Sequence, residues 1–147
     1  MPNWCSNTLV LQHTNPAMII RAAEAIERGA LFEEFVPLNV WDYNQAVAKW
    51  GTKWDASNLE IIDRHDNSVS VSFDTAWSPP MNFYDELLAQ GFEVHASYFE
   101  PGMGFVGRYI DGEEEEYDID PDDLSDIPED LNEAWGITDM FGDWDED

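Results

Sequence analysis

The sequence predicts an α+β fold of the ferredoxin-like (split βαβ) type, an antiparallel sheet with two helices, followed by an acidic C-terminal extension. Short apolar runs and helix signals alternate in the order β-α-β-β-β-α-β-β-β, which is close to that fold with additions. The 147 residues suit one domain with a real core. An apolar content of 44%, with 14% aromatic residues, argues against wholesale disorder despite a net charge of −26.

The first half of the chain contains one strong strand signal and one strong helix signal. Asn15 supplies an N-cap and Pro16 a first helical position, and Gly29 ends the helix. The residues that follow are aromatic and irregular. The expected elements are a strand over residues 5–13, a helix over 16–28, a short strand over 31–36 that ends at Pro37, and a short helix over 44–50.

The second half is richer in strands. Val69, Val71 and Phe73 alternate with polar residues, which is typical of a half-buried strand. Asp66-Asn67 and Asp111-Gly112 are turn signals. The expected elements are strands over residues 59–62, 69–73, 92–99, 105–110 and 113–119, with a helix from Pro79 through Gln90.

The negative charge is concentrated at the C-terminal end. Residues 1–110 hold 14 acidic and all 6 basic residues, whereas residues 111–147 hold 18 acidic residues and no basic one. We therefore expect a ferredoxin-like domain over 1–110 and an acidic extension over 111–147. Eighteen charges equal those on about 31 Å of duplex DNA at one charge per ~1.7 Å, so the charge is sufficient for DNA mimicry.

The extension also contains apolar residues among its acids. Pro128 followed by Glu129 and Asp130 indicates a helix start, and Leu131 and Trp135 then share one helix face. A solvated tail is the alternative interpretation. The apolar spacing favours a segment packed on the domain or on a partner, with its acids outward.

Charge and cysteine content narrow the function classes. Six basic residues against 32 acidic ones argue against nucleic-acid binding and against docking on anionic lipid. The single cysteine, Cys5, excludes an internal disulfide and fits a reducing compartment. No apolar run suits a membrane span or a secretory signal. We expect a cytoplasmic protein.

Four co-linear motifs point to a known family. They are Pro2-Asn3-Trp4-Cys5-Ser6-Asn7, Trp50-Gly51-Thr52-Lys53-Trp54-Asp55, Thr75-Ala76-Trp77-Ser78-Pro79-Pro80 and Tyr98-Phe99-Glu100-Pro101-Gly102-Met103-Gly104-Phe105-Val106-Gly107. Over residues 2–110 the chain resembles the YubB-like family of small proteins carried by bacteriophages and conjugative plasmids. The resemblance implies a ferredoxin-like domain and a mobile-element setting, and it implies no reaction.

The same motifs suggest a small polar pocket. Two cations and three indoles could hold a base or nucleotide, with a nearby carboxylate. The structural alternative is that Lys53 packs over indole faces and pairs with Glu100 or Asp55. The pocket candidates are Trp50, Lys53, Trp54, Trp77, Glu100 and Arg108.

Signals for metal or covalent chemistry are weak. The three histidines are scattered, and Cys5 has no local base, so we expect no catalytic residue and no cofactor. One acidic run matches positions 1, 3, 5, 9 and 12 of a calcium loop, but its position 6 is Asp123, where that loop needs glycine. The weak calcium candidates are Asp118, Asp120, Asp122, Asp126 and Glu129.

The acidic composition favours a non-catalytic inhibitor, and the family resemblance implies that it comes from a mobile element carried in a bacterial host cell. Its acids would occupy the basic nucleic-acid-binding surface of a host protein, such as a restriction or CRISPR component. The alternatives are a small-ligand or nucleotide binder around Lys53 and a regulatory protein–protein module. The expected contact residues are Glu113, Glu114, Glu115, Glu116, Asp118, Asp120, Asp122, Asp123, Asp126, Glu129 and Asp130, with Trp135, Phe141 and Trp144 as apolar anchors.

Overall fold

Six antiparallel strands form one sheet in the computed structural model, which describes residues 3–120 and 122–138. The elements in chain order are β1 (Trp4–Gln12), α1 (Pro16–Arg28), α2 (Leu31–Phe35), α3 (Tyr43–Trp50), β2 (Ser57–His65), β3 (Ser68–Ala76), α4 (Met81–Ala89), β4 (Glu93–Glu100), β5 (Phe105–Ile110), β6 (Glu113–Asp118) and α5 (Glu129–Trp135). The strand order is β2-β3-β1-β4-β5-β6. Strands β1 to β4 with α1 and α4 form the split βαβ core, so the predicted fold class is confirmed.

Helix α1 begins and ends where its sequence signals predict. The Asn15 side chain accepts a hydrogen bond from the Ala17 N–H at 3.0 Å. Gly29 ends the helix in the left-handed conformation, with φ 75°, which glycine adopts without steric cost. Ile19, Ala22, Ala23, Ala25 and Ile26 form its buried face.

The short strand expected over residues 31–36 is wrong, because residues 31–35 form helix α2. Its buried residues Leu31, Phe32 and Phe35 have helical spacing. The Asp55 carboxylate accepts hydrogen bonds from the Phe32 and Glu33 N–H groups at 3.0 and 3.1 Å. A side chain about twenty residues away thus caps the first turn of α2, and no local pattern reveals such a partner.

The two faces of the sheet support two separate apolar clusters. Helices α1 to α4 cover one face, where Leu9, Val71 and Val94 are buried in the main core. On the other face, Phe99 of β4 and Val106 of β5 pack with residues of the α5 region, namely Ile127, Leu131 and Ile137. Alternation along β4 explains this division, since Tyr98 and Phe99 point to opposite faces.

The chain continues from β5 into β6 through a tight turn. Asp111 and Gly112 both have positive φ, 49° and 100°, and the Asp111 carboxylate accepts a hydrogen bond from the Val94 N–H at 2.7 Å. The expected end of the domain after Ile110 therefore falls inside a hairpin. Residues 113–118 pair along the whole of β5 as the edge strand of the same sheet.

None of the helices in the described ranges has the length and apolar character that a membrane crossing requires.

Candidate functional site

The four sequence motifs meet at one end of the sheet. The Trp77 N–H donates to the Asn3 carbonyl at 2.8 Å, which joins the first and third motifs. The Thr52 hydroxyl donates to the Ala76 carbonyl at 2.8 Å, which joins the second and third. Gly102 of the fourth motif packs against Asn3, since a Cβ on Gly102 would lie 2.9 Å from Asn3 Cγ. Motifs separated by up to a hundred residues thus form one local structure.

Four exposed tryptophans and one lysine lie at this end of the sheet, and we call them the tryptophan platform: Trp4, Trp41, Lys53, Trp54 and Trp77. The Trp4 and Trp54 rings are 6.1 Å apart, and Lys53 Nζ lies 4.2 Å from the Trp54 ring centre. The Trp41 indole N–H donates to the Lys53 carbonyl at 2.7 Å. Trp77 follows directly after Ala76, the strand partner of Trp4. Between 38% and 54% of each tryptophan remains exposed.

The backbone at Trp77 is unusual. Its φ of 71° lies in the left-handed region, which a large non-glycine residue rarely adopts. Hydrogen bonds on both sides stabilise this conformation, because the Trp77 N–H bonds to Asn3 and the Ser78 N–H bonds to the Ala76 carbonyl at 2.9 Å. The fold therefore holds the indole outside the core in a costly geometry.

Only part of the expected pocket forms around Lys53. Trp50 is buried, packs against Phe32 with ring centres 5.6 Å apart, and donates its indole N–H to the Val36 carbonyl at 2.9 Å. It is a core residue. Lys53, Trp54 and Trp77 lie on the exposed platform instead.

Glu100 is buried and stabilises a turn. Its carboxylate oxygens accept hydrogen bonds from the Gly102 and Met103 N–H groups at 2.8 and 2.5 Å. Neither Glu100 nor Asp55 forms an ion pair with Lys53 within residues 3–120 and 122–138. Lys53 packs over an indole, as the structural alternative expects, but the ion pair that would hold the loop does not form among these described residues.

Arg108 forms ion pairs with acids of β6 and α5. Its two terminal nitrogens contact the Asp130 carboxylate at 2.7 and 3.1 Å, and its Nε lies 3.1 Å from Glu115. The hydrogen bonds to Asp130 keep the pKa of that carboxyl below its usual value. Arg108 thus connects β5, β6 and α5.

All eleven acids expected to contact a partner are exposed. Glu113, Glu114, Glu115, Glu116 and Asp118 are five of the six residues of β6. Burial raises the pKa of Glu114, and the carboxylates of Glu116 and Asp85 raise it further. This edge therefore concentrates negative charge that the protein itself leaves largely uncompensated.

The remaining expected residues have different surroundings. Trp135 is half-buried, with its ring centre 5.9 Å from that of Phe99, so it packs on the domain. Phe141 and Trp144 lie outside the described residues. No group of three or more His, Cys, Asp or Glu side chains suited to a metal occurs within the described ranges, and the weak calcium candidates Asp118, Asp120, Asp122, Asp126 and Glu129 do not form one there.

Cys5, the second residue of β1, is buried. Burial raises the pKa of its thiol to about 12, and a hydrogen bond with Thr75 offsets this only in part. A neutral, enclosed thiol is a poor nucleophile.

Sequence reasoning missed two features. Trp4 and Trp41 belong to the platform, and the exposed position of Trp41 has no sequence signal beyond its irregular surroundings. At the opposite end of the sheet, an open groove of about 1030 Å³ is lined by residues that include His13, Arg64 and His65. Both histidines bond within the protein, His13 to the Asn15 N–H and His65 to Asp63.

These observations define a ferredoxin-like α+β domain with an aromatic end and an acidic edge. The chain belongs to the Api92-like family, since the family model described as the ferredoxin-like domain in Api92-like protein matches residues 49–141. The crystal structure of protein Api92 from Yersinia pseudotuberculosis is similar, with 22% identity and a TM-score of 0.46. That match covers 61% of this chain and 40% of the Yersinia chain, so it spans less than half of that protein. No curated protein matches the chain.

Proposed function

We propose that the chain is a non-catalytic acidic inhibitor that binds the basic nucleic-acid-binding surface of a host protein. Its class of action is DNA mimicry of the anti-restriction or anti-CRISPR type. The mobile-element setting rests on the resemblance of the four motifs to the YubB-like family, whereas the family model that matches the chain is the Api92-like one and does not support the YubB name.

The observation that supports this proposal best is the acidic edge formed by β6. Five acids over six residues, at a rise of about 3.3 Å per residue, place one carboxylate per ~4 Å of strand, with successive side chains on alternate faces of the sheet. One DNA strand places a phosphate every ~3.4 Å along the helix axis. An edge strand also presents these side chains on a rigid element, which a solvated tail would not.

The electrostatics of the edge favour a basic partner. Arg108 is the last basic residue of the chain, and it pairs with two of the expected contact acids. Burial raises the pKa of Glu114 most, and repulsion by the carboxylates of Glu116 and Asp85 adds to the shift. A cationic groove relieves this repulsion, and the field of the edge speeds encounter with it.

The ligand-binding alternative has less support. Trp50, Glu100 and Arg108 have structural partners and do not line a cavity with Lys53. A regulatory module that binds through apolar contacts alone would leave the acidic edge without a role. Raising the salt concentration separates that module from a mimic, whose binding weakens steeply as charges are screened.

The test uses substitutions rather than removal of the extension. Deleting residues 111–147 would remove β6 and uncover Phe99 and Val106, so the domain itself would suffer. Glu113→Gln, Glu114→Gln and Asp118→Asn together remove three charges of the edge and leave the partners of Arg108 and Tyr98 intact. We expect the triple variant to capture several-fold less of a basic protein from bacterial lysate, and duplex DNA to displace that protein from the wild type.

A matched control changes three exposed acids elsewhere. Glu24→Gln, Glu27→Gln and Glu60→Gln remove the same charge from α1 and β2. This control should capture the wild-type amount. Equal capture by both triple variants, or capture that duplex DNA does not reverse, contradicts mimicry by the edge.

A further inference from the structure

The tryptophan platform is an exposed apolar surface that the fold maintains at a cost. Four large aromatic side chains lie exposed at one end of the sheet, and Trp77 adopts a strained backbone there. Soluble proteins rarely leave such side chains clustered on the surface unless something binds them. Tryptophan is also the residue most enriched at the energetic centres of protein interfaces.

The platform already holds a cation. Lys53 Nζ lies 4.2 Å from the Trp54 ring centre, which is the geometry of a cation–π contact. Asp42 follows Trp41 and caps α3, where it accepts a hydrogen bond from the Gln45 N–H at 3.0 Å. Asp74 pairs with Ser6 across the strands and accepts a hydrogen bond from the Asn58 amide at 2.9 Å. Indole faces in a chain of net charge −26 suit guanidinium or ammonium groups better than phosphates.

The platform is also continuous with the acidic part of the chain. Asn3 packs against Gly102, and two residues later the Gly104 carbonyl accepts a hydrogen bond from the Ile119 N–H at 2.7 Å. Asp118 and Asp120 flank Ile119. The aromatic rings and the end of the acidic edge therefore lie at the same end of the sheet.

We infer that the tryptophan platform docks arginine and lysine side chains of the same basic partner, so that the apolar anchors are Trp4, Trp54 and Trp77 rather than the tryptophans of the extension. This inference rests on the proposed function and names the anchoring part of its surface. The aromatic contacts set affinity and the acidic edge sets the response to salt, because cation–π contacts on a ring face are screened less than separated surface charges.

The test titrates the full chain with an arginine nonapeptide and measures the dissociation constant over a series of salt concentrations. Trp54→Ala with Trp77→Ala should weaken binding about tenfold at every salt concentration and leave the salt slope unchanged. Ile20→Ala, an exposed apolar residue on α1, is the control and should bind like the wild type. Trp54→Phe with Trp77→Phe keeps an aromatic ring at both positions and should retain most of the affinity. This variant tests the platform even if the double-alanine variant is misfolded.

The outcomes separate the two proposals. Equal affinity of the double-alanine variant and the wild type overturns the platform, as does tighter binding of a single-stranded oligothymidine than of the arginine peptide. A salt slope that does not change in the Glu113→Gln, Glu114→Gln, Asp118→Asn variant counts against the acidic edge and leaves the platform standing.

Discussion

Gly107 occupies a position where any side chain would collide with two neighbouring strands. It pairs with Tyr98 of β4 and with Glu116 of β6. The Tyr98 ring crosses over Gly107, and its hydroxyl donates to the Glu116 carboxylate at 3.2 Å. A Cβ on Gly107 would clash with the Tyr98 hydroxyl and the Glu115 carbonyl, and it would lie 2.5 Å from Tyr98 Cζ. Ordinary carbon contacts begin near ~3.5 Å, so the neighbours must move by about 1 Å.

The sign of the Gly107→Ala effect tests this geometry. Gly107 does not have positive φ, so alanine fits its backbone and would stabilise the protein by about 0.4–1 kcal/mol if space were free. Overpacking instead costs about 1–3 kcal/mol, and the upper end applies because one colliding atom belongs to the backbone. A loss of ~3 kcal/mol lowers Tm by roughly 6–12 °C in a chain of this size.

Thermal and urea unfolding monitored by far-UV circular dichroism measure this loss. Ile110→Ala, an exposed position on the same strand, is the control and should change stability much less. Tyr98→Leu removes the crossing ring, so Gly107→Ala should cost less in that background. An unchanged or raised Tm for Gly107→Ala, or no coupling to Tyr98, refutes the reasoning.

Three further predictions concern buried and paired groups. Cys5 should react with a thiol reagent near pH ~8 only as fast as the protein opens, because burial raises its pKa; rapid labelling in native buffer contradicts this. Hydrogen bonds from Arg21 and Arg28 lower the pKa of Glu34. Its contribution to the free energy of unfolding is therefore full above the usual glutamate pKa and is lost as the pH falls through the lowered value. Glu34→Gln should therefore cost about 0.5–1 kcal/mol in urea unfolding near pH ~7 and nothing near pH ~2, whereas a constant difference argues against the ion pairs. Trp50→Ala should cost roughly 3–5 kcal/mol as a core substitution, and a near-neutral effect would mean that the indole is not packed as described.

Local signals located most elements because local chemistry determines them. The Asn15 cap and Gly29 determine both ends of α1, and the alternation of Val69, Val71 and Phe73 matches a strand with one buried face. The exception is α2, whose cap is the distant Asp55 carboxylate. A short apolar run without its own turn signals fits a strand or a helix equally well, and only the tertiary partner decides between them.

In the candidate site too, some features follow from the sequence and others do not. Exposure of the eleven acids follows from their charge, since an unpaired carboxylate is not buried. The separation of the tryptophans does not follow from sequence. Trp50 and Trp54 lie four residues apart, yet one is in the core and the other on the platform, because α3 ends at Gly51 and the chain changes direction between them.

The sequence by itself determined the fold class and the concentration of acids after residue 110, because composition and short-range periodicity encode both of them. Only the tertiary structure decided which partners those residues contact. It made residues 113–118 an edge strand, directed Arg108 to Glu115 and Asp130, and brought the Trp4 and Trp54 rings within 6.1 Å of each other. The physical reason is that strand pairing and long-range packing select partners far apart in sequence, and no local pattern carries that information.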